Sequence, residues 1–184
     1  MVLGVLISAV QGQTGLGAAG TLNYPGLAAS DLNHSRFGLG GGYEFFARHK
    51  LIQLSPGILF HARYSYRRFY NAIALPYTAT TPFNFSYLSI SVLAPLKQFN
   101  TIIVYAGGAA NLVTINGGRD FLKVTEVSLI PDISTGVELY LSKNYNIFSE
   151  VSMQFGSVPV RDDIIPLTGL RFSLGVTMFL LSEE

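Results

Sequence analysis

Residues 51–69 read LIQLSPGILFHARYSYRRF. The even positions Ile52, Leu54, Pro56, Ile58, Phe60, Ala62, Tyr64 and Tyr66 are apolar or aromatic. The odd positions include Gln53, Ser55, Gly57, His61, Arg63, Ser65 and Arg67. Leu59 is the apolar exception on the polar side, and Arg68 ends the greasy one. Side chains alternate between the two faces of a β-strand, so the stretch reads as one long strand with a greasy face and a charged face. Soluble strands average about 5–6 residues, whereas a tilted strand needs roughly 9–11 to cross a bilayer.

Composition points the same way. The chain has 184 residues, enough for one domain, with 49% hydrophobic residues and a mean hydropathy of +0.38. Charged residues make up 12%, about half the share in soluble domains. Gly (19), Tyr (10) and Phe (13) are abundant and Trp is absent, which suits a β-rich protein in contact with lipid. A net charge of +1 gives no basic field for nucleic acid. The lack of cysteine excludes disulfides, thiolate metal sites and thiol chemistry.

Residues 1–12 begin MVLGVLISAV, an apolar run too short for a membrane helix. They read as the remnant of a secretory signal, cut before Gln13 but lacking a basic start, or else as a strand extension. Residues 13–184 form the expected barrel domain. The uncharged segment 98–118 holds three Asn and paired glycines, so it reads as strand plus loop, not helix.

The alternation recurs in residues 35–47, 125–141, 145–155 and 170–180, and less cleanly in 14–24, 83–96 and 102–114. With 51–69 this makes eight strands. In 102–114 the preferred assignment turns Ile102, Val104, Ala106, Ala110 and Leu112 outward, with Tyr105 and Asn111 inward. Tight connections at Arg48-His49-Lys50, 97–100 and 142–144 alternate with longer ones at 25–34, 70–82, 115–124 and 156–168. Short turns at one end and long loops at the other describe an all-β, eight-stranded, antiparallel, up-and-down transmembrane barrel.

Charge sorting separates this fold from a soluble barrel, which also alternates. Within the strands the greasy face carries no charge except Arg68 at an end. The other face carries Arg36, Arg63, Arg67 and Arg171 with Glu44, Glu126, Asp132, Glu138 and Glu150, plus His61. An Arg or Lys at the lipid midplane costs about 2–4 kcal/mol, so these ten residues belong in the lumen. The glycines and serines beside them are expected to leave room for long Arg and Glu side chains. Pro56, Pro95 and Pro131 lie inside strands and call for bulges or bends.

The order of hairpins resembles the PorT-like small outer-membrane barrels. The resemblance runs from Gln13 to Leu181. It is carried by LSPGIL at 54–59, YLSI at 87–90, STGVEL at 134–139 before a Lys-Asn turn, FSEV at 148–151 and FSLGV at 172–176. The Ala94-Pro95 step departs from the family pattern. The resemblance implies a bacterial outer-membrane location and no defined activity, some relatives being accessory parts of secretion or motility machinery.

The lumen charges read as a mutually neutralising plug, because eight strands enclose little space, and His61 as a satisfied lumen histidine, not a ligand. The GLGGG at 38–42 lies in a strand and lacks the Lys and helix of a phosphate loop. The expected function is a non-enzymatic scaffold or accessory subunit of a larger outer-membrane secretion, motility or transport assembly. Its partners are lipid and a protein, with no cofactor, metal or nucleic acid. The alternatives are a free-standing structural barrel or narrow pore, and a surface lipid- or protein-modifying enzyme using His34 with Asp162 or Asp163.

Overall fold

The computed structural model describes residues 12–25, 39–51, 58–74, 77–115, 127–160 and 163–180. Ten strands appear: β1 Gly12–Pro25, β2 Gly40–Leu51, β3 Ile58–Ala74, β4 Tyr77–Phe99, β5 Ile102–Ile115, β6 Val127–Tyr140, β7 Tyr145–Gln154, β8 Ser157–Val160, β9 Asp163–Pro166 and β10 Gly169–Phe179. Eight of them close in the order β1-β10-β7-β6-β5-β4-β3-β2, while β8 and β9 form a separate two-stranded hairpin. Every neighbouring pair is antiparallel. Closure leaves no edge strand, which is the condition for a sheet in lipid.

The wall faces divide as the alternation requires. Leu129, Ile90 and Leu174 stand 73%, 66% and 64% exposed on the outside. Glu138, Ser65 and Thr177 are wholly buried inside. A closed barrel whose outer belt is this apolar is matched to lipid, not to water. On β5, Ile103, Tyr105, Asn111 and Val113 are buried, while Ile102 and Leu112 face out.

Four connections differ from the sequence reading. Arg48-His49-Lys50 is not a turn but the end of β2, which runs in register to a Leu51–Ile58 pair. The 51–69 stretch is therefore not one strand: the chain reverses between Leu51 and Ile58. Pro56 falls in that interval, outside the described residues. The expected loop at 70–82 is instead a continuation of β3 and β4, which reach 17 and 23 residues. Their ladder shifts register twice on the way to an Ala74–Tyr77 pair. The β-branched and aromatic residues of that segment favour the extended form. Residues 97–99 likewise stay in β4, leaving Asn100 and Thr101 as a two-residue turn in which Asn100 takes φ +39°, a left-handed conformation Asn tolerates. Finally, the connection at 156–168 contains the β8–β9 hairpin.

Two prolines resolve differently. Leu96 is the extra residue of a bulge between the Pro95–Tyr105 and Lys97–Val104 pairs. No shift occurs at Pro131, which stays in register with Ala110. Its carbonyl accepts from the Phe155 amide at 3.0 Å. Since N and O of a strand residue point to the same side, the missing donor faces the end of the β7 ladder and costs β5 nothing.

Candidate functional site

The lumen is layered. Its centre is built by lumen-facing residues of four strands: Glu44 on β2, Arg63 on β3, Glu150 on β7 and Arg171 on β10. Arg63 Nη1 meets Glu150 Oε1 at 2.8 Å and Glu44 Oε2 at 3.5 Å. Arg171 spans the same two carboxylates, at 2.9 Å to Glu150 and 3.2 Å to Glu44. The Ser65 hydroxyl donates to Glu44 at 3.1 Å, and the Tyr105 hydroxyl to Glu150 at 3.3 Å. Two arginines and two carboxylates thus close a ring across the barrel, two of its contacts joining neighbouring strands (β2 with β3, β7 with β10) and two crossing between strands that are not neighbours.

Towards the long-loop end, Arg67 lies over the Tyr87 ring at 3.6 Å, donates to Gln154 Oε1 at 3.1 Å and stands 3.9 Å from Glu44. Asp132 takes Arg171 at 3.7 Å and the Asn111 amide at 3.1 Å. Asn111 also accepts from Ser89. Towards the short-turn end, Arg48 meets Glu138 at 2.5 Å. Glu138 further accepts from Tyr140 and Asn146, each at 3.1 Å. His61 stacks on Phe46 with centroids 5.9 Å apart, its Nδ1 3.4 Å from Arg63, while Nε2 has no hydrogen-bond partner. The histidine is thus satisfied on one side only.

Among the described residues, Arg48, Arg63, Arg67 and Arg171 face Glu44, Asp132, Glu138 and Glu150, all nearly fully buried. The four positive charges balance the four negative ones. Isolated charges could not be held there, because desolvation costs several kcal/mol per ion and is offset only by close, hydrogen-bonded partners. Arg36, Glu126, His34 and Asp162 lie outside the described residues, as does the side chain of Asp163. No group of three metal-ligating side chains comes together among the described residues.

Sequence reasoning missed Arg48 by placing it in a turn. Its even number continues the Glu44, Phe46 parity, which was the available signal. It also underrated lumen aromatics. Three interior glycines make room for rings, while Gly42 lies opposite Arg67. Phe46 lies against Gly17, Tyr105 against Gly136 and Phe148 against Gly175, and each of these is a directly opposed cross-strand pair. A Cβ at any of these glycines would collide with the ring. The ring fills the gap its partner leaves, a known device for strand glycines.

Apolar clusters border the charges. At the long-loop end, Phe69, Phe85, Tyr87, Val113 and Ile130 pack with Val158 of the hairpin and with Leu167. The hairpin is tethered at its base by the Leu167 amide to the Gly156 carbonyl, 2.9 Å, and the Gly156 amide to the Thr168 hydroxyl, 3.2 Å. Towards the other end Phe46 and Phe148, with Ala19, flank the Arg48 guanidinium, and Leu59 packs with Leu93 and Tyr105. Leu59, the exception in the 51–69 alternation, belongs to this second cluster.

No protein-family model matches the chain, and neither does any curated protein sequence. Among solved structures, the crystal structure of Neisserial surface protein A (NspA) superimposes with a TM-score of 0.57 at 15% identity, covering 91% of this chain and 96% of that one. The Yersinia pestis outer membrane protein Ail in a phospholipid bilayer nanodisc gives 0.46 at 10% identity, covering 92% and 100%. Its crystal structure with the heparin analogue sucrose octasulfate gives 0.44 at 12% identity, covering 92% and 97%. The likeness to NspA is one of fold. With the apolar outer belt and the closed ladder, it makes this chain a small outer-membrane β-barrel of eight antiparallel strands.

Proposed function

We propose that the protein is a closed, non-enzymatic outer-membrane scaffold or accessory subunit that acts through its outer wall, loops and turns. The observation that supports this reading is the lumen itself: among the described residues, four buried arginines face four buried carboxylates, with buried apolar clusters beside them. A filled interior is what a narrow eight-stranded barrel favours. What is left to act with is the outside. The PorT-like resemblance belongs to the same proposal and would place the barrel within a secretion or motility assembly. The test is cross-linking in intact outer membranes, followed by mild-detergent extraction and native gel separation. A stoichiometric complex with one defined protein is expected; a barrel that migrates alone from cross-linked membranes overturns the subunit reading.

A further inference from the structure

The charges of this chain are partitioned unequally between the two ends. Three of the four long connections mix signs: Asp31 and Arg36 in the first, Arg119, Asp120, Lys123 and Glu126 in the third, Arg161, Asp162 and Asp163 in the last. The second, 70–82, is uncharged. The three short ones do not mix signs. Residues 49–58, 96–102 and 140–145 contain no Asp or Glu, and each contains one lysine: Lys50, Lys97 and Lys143. These are three of the four lysines in the chain. None of the three is in an ion pair among the described residues.

Topology spreads them around one rim. The connections β2–β3, β4–β5 and β6–β7 are each two strands apart in the closed order, roughly 10 Å along the wall. The fourth gap lies between β10 and β1. There the sequence continues into Ser182-Glu183-Glu184, outside the described residues. Lys97 sits at a defined depth on the outer wall, its Nζ over the Phe99 ring at 4.7 Å. Lys50 differs: it continues the lumen-facing parity of Glu44, Phe46 and Arg48, is half-buried, and reaches the Tyr140 ring at 5.8 Å across the mouth of the lumen. Lys97 and Lys143 are exposed, beside Leu96, Phe99, Leu141 and Tyr145, the last outward apolar residues of the belt. Lysines that end an apolar belt beside aromatic rings extend their ammonium groups to the headgroup level.

We propose that Lys97 and Lys143 form a cationic rim that binds the phosphates of anionic phospholipids in the leaflet at the short-turn end. Short turns face the periplasm in barrels of this kind, so that leaflet is the inner one. Charge complementarity, the absence of a neighbouring carboxylate in these turns and the depth of the ammonium groups all favour a lipid occupant. The proposal holds whether or not the barrel has a protein partner.

The test is native mass spectrometry of the full barrel released from micelles holding equal amounts of phosphatidylglycerol and phosphatidylethanolamine. A lysine near an anionic membrane surface is worth about a fivefold preference. The wild type is therefore expected to retain phosphatidylglycerol at least about tenfold over phosphatidylethanolamine, the preference shrinking as salt rises. The double variant Lys97→Gln, Lys143→Gln should lose it, while Lys50→Gln at the lumen mouth and Arg68→Gln at the opposite rim should keep it. Heat-modifiable migration shows that each variant is folded. Equal retention of the two lipids by the wild type overturns the proposal even if the double variant does not fold. So does full retention of the preference by a folded double variant.

Discussion

Replacing Glu150 by Gln removes one charge from the centre of the lumen and keeps its shape. Glu150 holds Arg63 at 2.8 Å and Arg171 at 2.9 Å, with the Tyr105 hydroxyl at 3.3 Å. Taking one partner from a buried ion pair costs about 3–5 kcal/mol, because the remaining charge stays buried. Here two arginines are affected, but Glu44 still faces both, at 3.5 and 3.2 Å, and the Gln carbonyl can accept one of the lost bonds. The lower end, about 3 kcal/mol, is expected, on the order of a hundredfold in the folding equilibrium. Urea unfolding of the barrel in lipid vesicles measures it. The loss should be nearly the same at low and high salt, since buried charges are screened little. The pair Glu150→Gln with Arg63→Gln should cost less than the sum of the two single changes, because the sites are coupled. A single-variant loss under about 0.5 kcal/mol, or one that vanishes in salt, would show that Glu150 is not part of a buried, closely paired ring.

Other changes probe the parts around that ring. Arg48→Met keeps the packing between Phe46 and Phe148, whose ring centroids lie 5.3 and 5.1 Å from the guanidinium, but strips Glu138 of its cation. A loss of roughly 3 kcal/mol is expected in the same urea assay. Gly136→Ala forces a methyl against the Tyr105 ring and should cost about 1–3 kcal/mol, whereas Gly20→Ala, which meets nothing, should be neutral within about 0.5 kcal/mol. Leu174→Arg, midway along the outer face of β10, should cost about 2–4 kcal/mol in lipid, read by vesicle-based unfolding.

The outside of the barrel was legible because one rule governs it: no charge faces lipid. That rule assigns Phe60, Ala62 and Tyr64 outward and His61, Arg63 and Ser65 inward without knowledge of register. The strand ends were less legible. Arg48 and Lys50 look like a turn by composition, yet they are held in a ladder that only the pairing with β1 and β3 reveals. Likewise the 70–82 hairpin and the β8–β9 cap carry no alternation long enough to distinguish them from loop. The lumen was legible in chemistry but not in contacts. Charges of both signs on one face announce pairing, but which Arg meets which Glu depends on strands separated by 87 residues, as for Arg63 and Glu150. The ring-over-glycine pairs were hidden for the same reason: Phe46 and Gly17, or Tyr105 and Gly136, become neighbours only once register is set. Strand-interior glycines signalled close approach but not by what.

Planar-bilayer recording of the purified barrel asks whether paired lumen charges and the apolar clusters beside them shut the barrel to ions. A baseline without steady openings across the ordinary voltage range in concentrated salt is expected. Reproducible steady openings, abolished when the barrel is unfolded, would contradict it and make the protein a pore.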